Sequence, residues 1–221
     1  MSNKRENISM SVIRRLPRYY RFLGDLLKHG VTRISSRELS QRMGLTASQI
    51  RQDLNCFGGF GQQGYGYIVD QLYREIRKIL GTDKRRRAIL IGAGNLGRAI
   101  ANHMAFETRG FDLIGIFDQN PSLIGQVIKG IPVQDSRGIE EFCSRNHPAV
   151  AVLCIPREAT HEMATRLTKL GIKGFWNFSH YDLSVHFPNA VIENVHLGDS
   201  LLTLSYRVSE LEETAKKGPA V

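Results

Sequence analysis

Apolar residues fall along this 221-residue chain in two rhythms, and the change between them divides it. Across residues 9–29 they recur every three or four positions, at Leu16, Tyr20, Leu23 and Leu27, the spacing of one face of an α-helix. Pro17 belongs in the first turn of that helix or at a kink, because it has no N–H to donate. Ser35 with Glu38 three residues on makes a capping box and opens a short helix through Met43. Gly44 breaks it, and Thr46 or Ser48 starts the next, residues 47–57, with Ile50 and Leu54 inward. Residues 57–67 hold five glycines and four aromatics, a composition for a tight β-hairpin and not for a helix. Helical spacing returns over residues 68–80, at Leu72, Ile76 and Leu80. Two short helices meeting at a glycine and followed by a hairpin predict a winged helix, its second helix placed for a major groove.

Beyond Arg87 the rhythm changes to short apolar runs that alternate with helical segments. Strands are expected at residues 88–91, 111–117, 131–133, 149–155 and 172–178. Helices are expected from Asn95, over residues 136–146 with Ser136 as cap, and from Pro156 to Gly171. Runs apolar on both faces are the mark of a buried parallel sheet. A last helix, about residues 196–216, carries Leu197, Leu201, Leu204, Val208 and Leu211 at alternating spacings of four and three, with Leu202 and Tyr206 beside them. A stripe wider than one face needs burial on more than one side. Insertion against a second subunit is expected, with packing on its own domain as the alternative. The chain therefore reads as α/β: a winged-helix domain at 1–80, a basic hinge at 81–87, a Rossmann-like parallel sheet domain at 88–193 and a dimerisation helix and tail at 194–221.

Charge sharpens this division. The net charge is +9, yet residues 1–87 carry +11 and the remainder −2. A basic head on a near-neutral body points to nucleic acid at one end and a small ligand at the other. A merely solvated basic surface is the bland alternative, and the run 84–87 is either a solvated linker or an extra phosphate contact. The three cysteines, Cys56, Cys143 and Cys154, form no CxxC pair and no metal spacing, which suits a reducing cytoplasm. No apolar run of eighteen and no apolar N-terminal core occurs, so neither a membrane span nor a signal peptide is expected.

Candidate chemistry lies first at Gly92-Ala93-Gly94-Asn95-Leu96-Gly97, between a predicted strand and a helix. In a dinucleotide-binding unit the first glycine makes the turn, the second admits a pyrophosphate and the third lets helix pack on strand. The next strand ends in Asp118, placed to take both ribose hydroxyls; Gln119 and Asn120 offer no cation for a 2′-phosphate, which favours NAD(H) over NADP(H). Pro156, Asn177 and Phe178 end strands on the same sheet edge. In the head, Ser48, Gln49, Arg51, Gln52 and Asn55 form the outer face of the second helix, able to bond base edges or phosphates, and Gln62, Gln63 and Tyr65 lie in the wing. His180 beside Tyr181 and Asp182 is the best acid–base candidate, but no catalytic role is assigned to it.

These residues together resemble the redox-sensing transcriptional repressor (Rex) family. The matching motifs are Arg15-Leu-Pro-x-Tyr-Tyr-Arg21, Gln49-Ile-Arg-x-Asp-Leu54, the glycine-rich wing to Tyr67, Gly92 to Gly97, Cys154-Ile-Pro-Arg-Glu158 and Asn177-Phe-Ser179, spread over nearly the whole chain. The resemblance implies a homodimer with a swapped C-terminal helix that binds double-stranded operator DNA of pseudo-palindromic half-sites with NAD⁺ or no cofactor, and is released by NADH. It also implies a switch. Arg21 matches an arginine of the first helix that in some members exchanges partners with a tyrosine and an aspartate, and His103 and His196 stand at those two positions. Gln52 and Gln63 stand where family members often carry a basic residue, which implies fewer phosphate contacts. The alternatives are an NAD-dependent oxidoreductase with an appended DNA-binding domain and, on the looser glycine motif, a CoA-binding domain.

Overall fold

The computed structural model describes residues 8–62 and 65–217. It separates into two compact units, Met1–Lys84 and Arg85–Val221.

The first unit runs α1 (Met10–Lys28), β1 (Arg33–Ile34), α2 (Ser36–Met43), α3 (Ala47–Asn55), β2 (Gly61–Gln62), β3 (Gly66–Ile68) and α4 (Val69–Leu80). Local chemistry sets most of these bounds. Ser35 Oγ accepts from Glu38 N at 3.1 Å while Ser35 N donates to Glu38 Oε2 at 2.8 Å, closing the capping box. Gly44 takes the left-handed conformation that ends α2. Thr46, and not Ser48, caps α3 by accepting from Gln49 N at 3.1 Å. That helix stops at Asn55, two residues short of expectation, to free the chain for the wing. The wing strands pair antiparallel in the order β1-β3-β2.

Pro17 lies beyond the first two turns of α1, inside a continuous helix that tolerates one missing donor. The buried face is Val12, Leu16, Tyr19, Leu23 and Leu26 and not the expected 16-20-23-27 stripe. Tyr20 and Leu27 are half-buried; Tyr20 stacks on Tyr73 of α4 with ring centroids 4.5 Å apart. Tyr19 is turned inward because its hydroxyl has a buried partner, described below.

The second unit contains β4 (Arg86–Ile91), α5 (Asn95–His103), β5 (Phe111–Asp118), β6 (Val127–Ile128), β7 (Ile131–Asp135), α6 (Ile139–Asn146), β8 (Val150–Leu153), α7 (Arg157–Lys169), β9 (Gly174–Asn177), β10 (Val191–Asn194) and α8 (Leu197–Lys217). The sheet order is β10-β9-β8-β4-β5-β7-β6, parallel except for the β6–β7 hairpin. Leaving out β6, this is the 3-2-1-4-5-6 order of a doubly wound dinucleotide fold, whose strand order reverses between β4 and β8.

Several details differ from expectation. Arg86 and Arg87 belong to β4, and Arg85 pairs with Asp112 at 2.9 Å while Arg87 donates to the Asn146 carbonyl at 2.8 Å. The arginines at 85 and 87 are exposed, yet each is held by a partner within this unit. Ser136 caps no α-helix; Asp135 caps a 3₁₀ turn, Ser136–Gly138, by accepting from Arg137 N at 2.8 Å, and α6 begins after it. Among the described residues the alternation of strand and helix lapses twice, between β5 and β7 and between β9 and β10.

That second lapse has a consequence for packing. One face of the sheet, including Ile89, Ile91, Ala151, Leu153 and Phe175, is covered by α6 and α7 through Ile139, Cys143, Ala164 and Leu167. On the other face α5 covers only the region around Leu90 and Ile116. Alternate residues of β8, β9 and β10 on this face line an apolar cavity of about 330 Å³ with Phe106, Phe111 and Trp176. Meanwhile α8 buries nothing: residues 197–215 are exposed, its large apolar side chains by 44 to 72%. Packing on its own domain, the alternative for that helix, is not what this chain does.

Candidate functional site

The glycine-rich turn joins β4 to α5, and each glycine answers to a different neighbour. Gly92 has φ +96°, and a Cβ there would lie 2.4 Å from the Cys154 carbonyl oxygen. At Gly97 a Cβ would lie 1.8 Å from the Gly92 carbonyl oxygen, so nothing larger lets α5 start here. Gly94 is different: a Cβ there would meet no atom of this chain within 4 Å. Packing demands the first and third glycines, whereas the second keeps backbone open toward empty space. Asn95 and Leu96 follow in the exposed first turn of α5, where helical N–H groups lack partners within the helix. That arrangement fits a dinucleotide pyrophosphate.

Asp118 ends β5 beside this turn. Its Oδ2 accepts from Ala93 N at 2.6 Å and its Oδ1 from Asn120 N at 2.8 Å. The carboxylate thus ties the turn to β5 while each oxygen keeps a lone pair for a hydroxyl. A cleft of about 300 Å³ runs along Gly92, Gly94, Asp118, Cys154, Ile155 and Pro156, on both sides of the reversal in strand order. Ser136, Ala159 and Met163 also line it; of these three only Ser136 stood out in the sequence, and as a cap. Burial pushes the Cys154 thiol up to about 12, so it stays protonated and unreactive near neutral pH.

Asn177 and Phe178 end β9, one strand further on, and do not line this cleft. The Asn177 side chain is fully engaged: Nδ2 donates to the Tyr181 carbonyl at 2.7 Å and Asn194 Oδ1 at 2.8 Å, and Oδ1 accepts from Ser179 N and Oγ. It braces the strand end and offers no group to a ligand. Phe178 is half-buried, edge-on to Trp176 at 4.7 Å. His180 stacks on His196 at 6.2 Å, immediately before α8. His103 is exposed at the end of α5, and Arg21 is exposed on α1 in the other unit. Among the described residues no three His, Cys, Asp or Glu side chains form a metal-binding group.

On α3, Ser48, Arg51, Gln52 and Asn55 are exposed together, as an outer face requires. Arg51 Nη1 donates to Ser36 Oγ at 3.1 Å. Gln49 departs from this set: it is half-buried, and Nε2 donates to Asp53 Oδ1 at 2.9 Å. In the wing Tyr65 is 71% exposed with the Arg33 guanidinium 6.0 Å from its ring centre, adding a cation that the sequence pattern did not single out. Gln62 lies on β2, and Gln63 lies outside the described residues.

Residues 7–55 match the family described as "Putative DNA-binding protein N-terminus", and residues 83–181 match the CoA binding domain family. The chain is 58% identical over 215 residues to the redox-sensing transcriptional repressor Rex of Caldanaerobacter subterraneus subsp. tengcongensis, covering 97% of this chain and 95% of that one. The chain belongs to the Rex family. Rex of Clostridioides difficile is 55% identical over 205 residues, covering 93% of this chain and 97% of its own. Among solved structures, the Rex-family repressor RSP in complex with NAD⁺ and operator DNA has a TM-score of 0.86 at 55% identity, covering 98% of this chain and all of its own. RSP in complex with NADH matches at a TM-score of 0.86 and 54% identity, covering 95% of this chain. The fold is thus that of Rex: an N-terminal DNA-binding region, a parallel-sheet Rossmann-like domain and a final helix.

Proposed function

We propose that this chain is a transcriptional repressor that reads the NADH/NAD⁺ ratio, holding operator DNA with NAD⁺ or no cofactor and releasing it with NADH. The observation that carries this reading is the likeness to RSP over both units at once, since RSP has been crystallised with NAD⁺ and operator DNA and with NADH. The geometry of this chain agrees. Gly94 leaves the backbone open to an approaching ligand, Asp118 presents lone pairs for a ribose, and α3 exposes a polar face. When bound, the cofactor supplies a ring that is cationic if oxidised and neutral if reduced. A ligand moves an equilibrium only through its differential affinity for the two states. The chain's own discrimination therefore lies where that ring sits, with Pro156 and Phe178 as the candidate apolar walls that favour the neutral form.

The repressor acts as a homodimer in this reading. The exposed α8 and the uncovered cavity over β8, β9 and β10 are two apolar surfaces of one chain that do not meet, and a second copy supplies each with its complement. Its place is the cytoplasm, with its DNA; no described helix is long and apolar enough to cross a membrane. It is not an enzyme in this reading: the relatives are named as repressors, and the groups at the cleft are a protonated thiol and a carboxylate tied to backbone.

Binding to the operator duplex that RSP binds, titrated with each cofactor, tests the proposal. NADH is expected to abolish binding and NAD⁺ to leave it. By reciprocity the duplex weakens NADH by the same factor. Equal effects of the two cofactors would exclude redox sensing, and turnover of an alcohol or aldehyde substrate would favour an oxidoreductase. Arg51→Ala is expected to weaken operator binding by about 1–3 kcal/mol with relaxed preference at one position per half-site if it reads a base. If it touches phosphate alone, the loss is uniform across sequences with a shallower salt slope. Wild-type affinity in this variant removes Arg51 from the interface.

A further inference from the structure

The helix assigned to the operator, α3, directs a carboxylate into its own domain. Asp53 is fully buried, and four donors from three side chains converge on it. Arg15 holds it with two bonds, Nε to Oδ2 at 2.7 Å and Nη2 to Oδ1 at 2.8 Å. Tyr19 Oη donates to Oδ2 at 2.9 Å and Gln49 Nε2 to Oδ1 at 2.9 Å. Arg15 and Tyr19 belong to α1, whereas Gln49 lies one turn back on α3. Burial alone would push the Asp53 carboxyl up, but the bonds from Arg15, Gln49 and Tyr19 outweigh it and hold the group below the usual carboxylate range.

Stability alone does not explain such a group. Desolvating an ion pair offsets most of its Coulombic gain, and an apolar pair of similar volume often does as well or better. Leu16, Leu23, Ile50 and Leu54 belong to the same apolar core. What the ionic cluster adds is direction. A bidentate arginine accepts one approach of the carboxylate plane, and this arginine is anchored on α1. Rotation of α3 about its own axis would break both Arg15 bonds, a directional requirement that apolar burial does not carry. The side chains that such a rotation would misaim are Arg51, Gln52 and Asn55, within two residues of Asp53.

We propose that Asp53 is a positioning residue for operator recognition, and that Gln49 belongs to this buried cluster and not to the set that reads bases. The proposal rests on the reading of α3 as the DNA-recognition helix. With its amide turned inward to Asp53, Gln49 does not present the paired donor and acceptor that an adenine edge requires.

The test uses the full-length protein at fixed salt, with the operator duplex that RSP binds and a scrambled duplex of equal length. Replacing the ion pair and its buried hydroxyl by apolar residues, Arg15→Met and Asp53→Leu with Tyr19→Phe so that no buried O–H loses its acceptor, is expected to keep the thermal midpoint and NADH affinity of the wild type. Operator affinity should fall about 10- to 100-fold, the worth of one misplaced base contact. Affinity for the scrambled duplex, a backbone property, should change less than about twofold. A folded variant with the wild-type preference for operator overturns the proposal. Gln49→Ala decides if that triple variant does not fold. It is expected to weaken operators substituted at each base position evenly, and a loss confined to one position returns Gln49 to base reading and overturns its assignment. Wild-type protein that does not distinguish the two duplexes defeats the DNA reading itself, and the proposal with it.

Discussion

A chain cut after His196 is expected to lose its dimer. The full-length protein should sediment as two chains, and the truncated one as a monomer or an aggregate. The helix removed carries Leu197, Leu201, Leu202, Leu204, Tyr206, Val208 and Leu211, all exposed in the single chain. Leaving a leucine in water in place of an apolar partner forfeits roughly 1.5–3 kcal/mol each, and a helix this apolar on several sides gains that only between two surfaces. The cavity over β8, β9 and β10 is one such surface. Val191→Glu, at its exposed rim, should therefore weaken the dimer with α8 intact, because it sets an unpaired charge against an apolar helix. Sedimentation equilibrium across protein concentration reads both variants. A folded, dimeric truncation would show that α8 is not the dimerisation element.

Local signals were legible in the sequence, and long-range partners were not. The capping box at Ser35, the break at Gly44 and the glycine-rich turn depend on residues within a few positions, and each stands where the pattern placed it. The face of α1 was misread by one residue because two adjacent tyrosines fit helical spacing equally well. Tyr19 is chosen over Tyr20 by a carboxylate 34 positions away. The same carboxylate was invisible as a buried group, since an aspartate on an amphipathic helix ordinarily faces water. Ser136 precedes a helix and so resembles a cap, yet the fold brings it to the cleft beside the glycine-rich turn. Asn177 ends a strand on the expected edge, but its amide braces Ser179, Tyr181 and Asn194. The strand β6 is two residues long, too short for periodicity to register, and β10, Val191–Asn194, holds only two apolar residues before Glu193 and Asn194 and so makes no apolar run. The turn of the motif glycines beside the end of β5 was readable because glycine spacing between a strand and a helix itself sets that geometry.

Gly94→Ala is expected to remove cofactor sensing while leaving the fold untouched. The residue sits at φ −66° and ψ −168°, an extended conformation that alanine adopts without strain. Its added methyl would meet no atom of the chain within 4 Å. Stability, dimerisation and operator binding should therefore match the wild type. What the methyl fills is the approach of a pyrophosphate to the first turn of α5, where a ligand oxygen needs hydrogen-bond distance to backbone N–H. NADH affinity should fall by roughly 100-fold, about 2.7 kcal/mol, and the operator should stay bound at NADH concentrations that release the wild type. The Gly97→Ala variant supplies the contrast: its methyl would lie 1.8 Å from the Gly92 carbonyl oxygen, so it should lower the thermal midpoint as well as NADH binding. Calorimetric titration with NADH beside thermal unfolding separates the two. A Gly94→Ala protein with wild-type NADH affinity would mean that the dinucleotide does not cross this turn, and the cofactor site would have to be sought away from the reversal between β4 and β8.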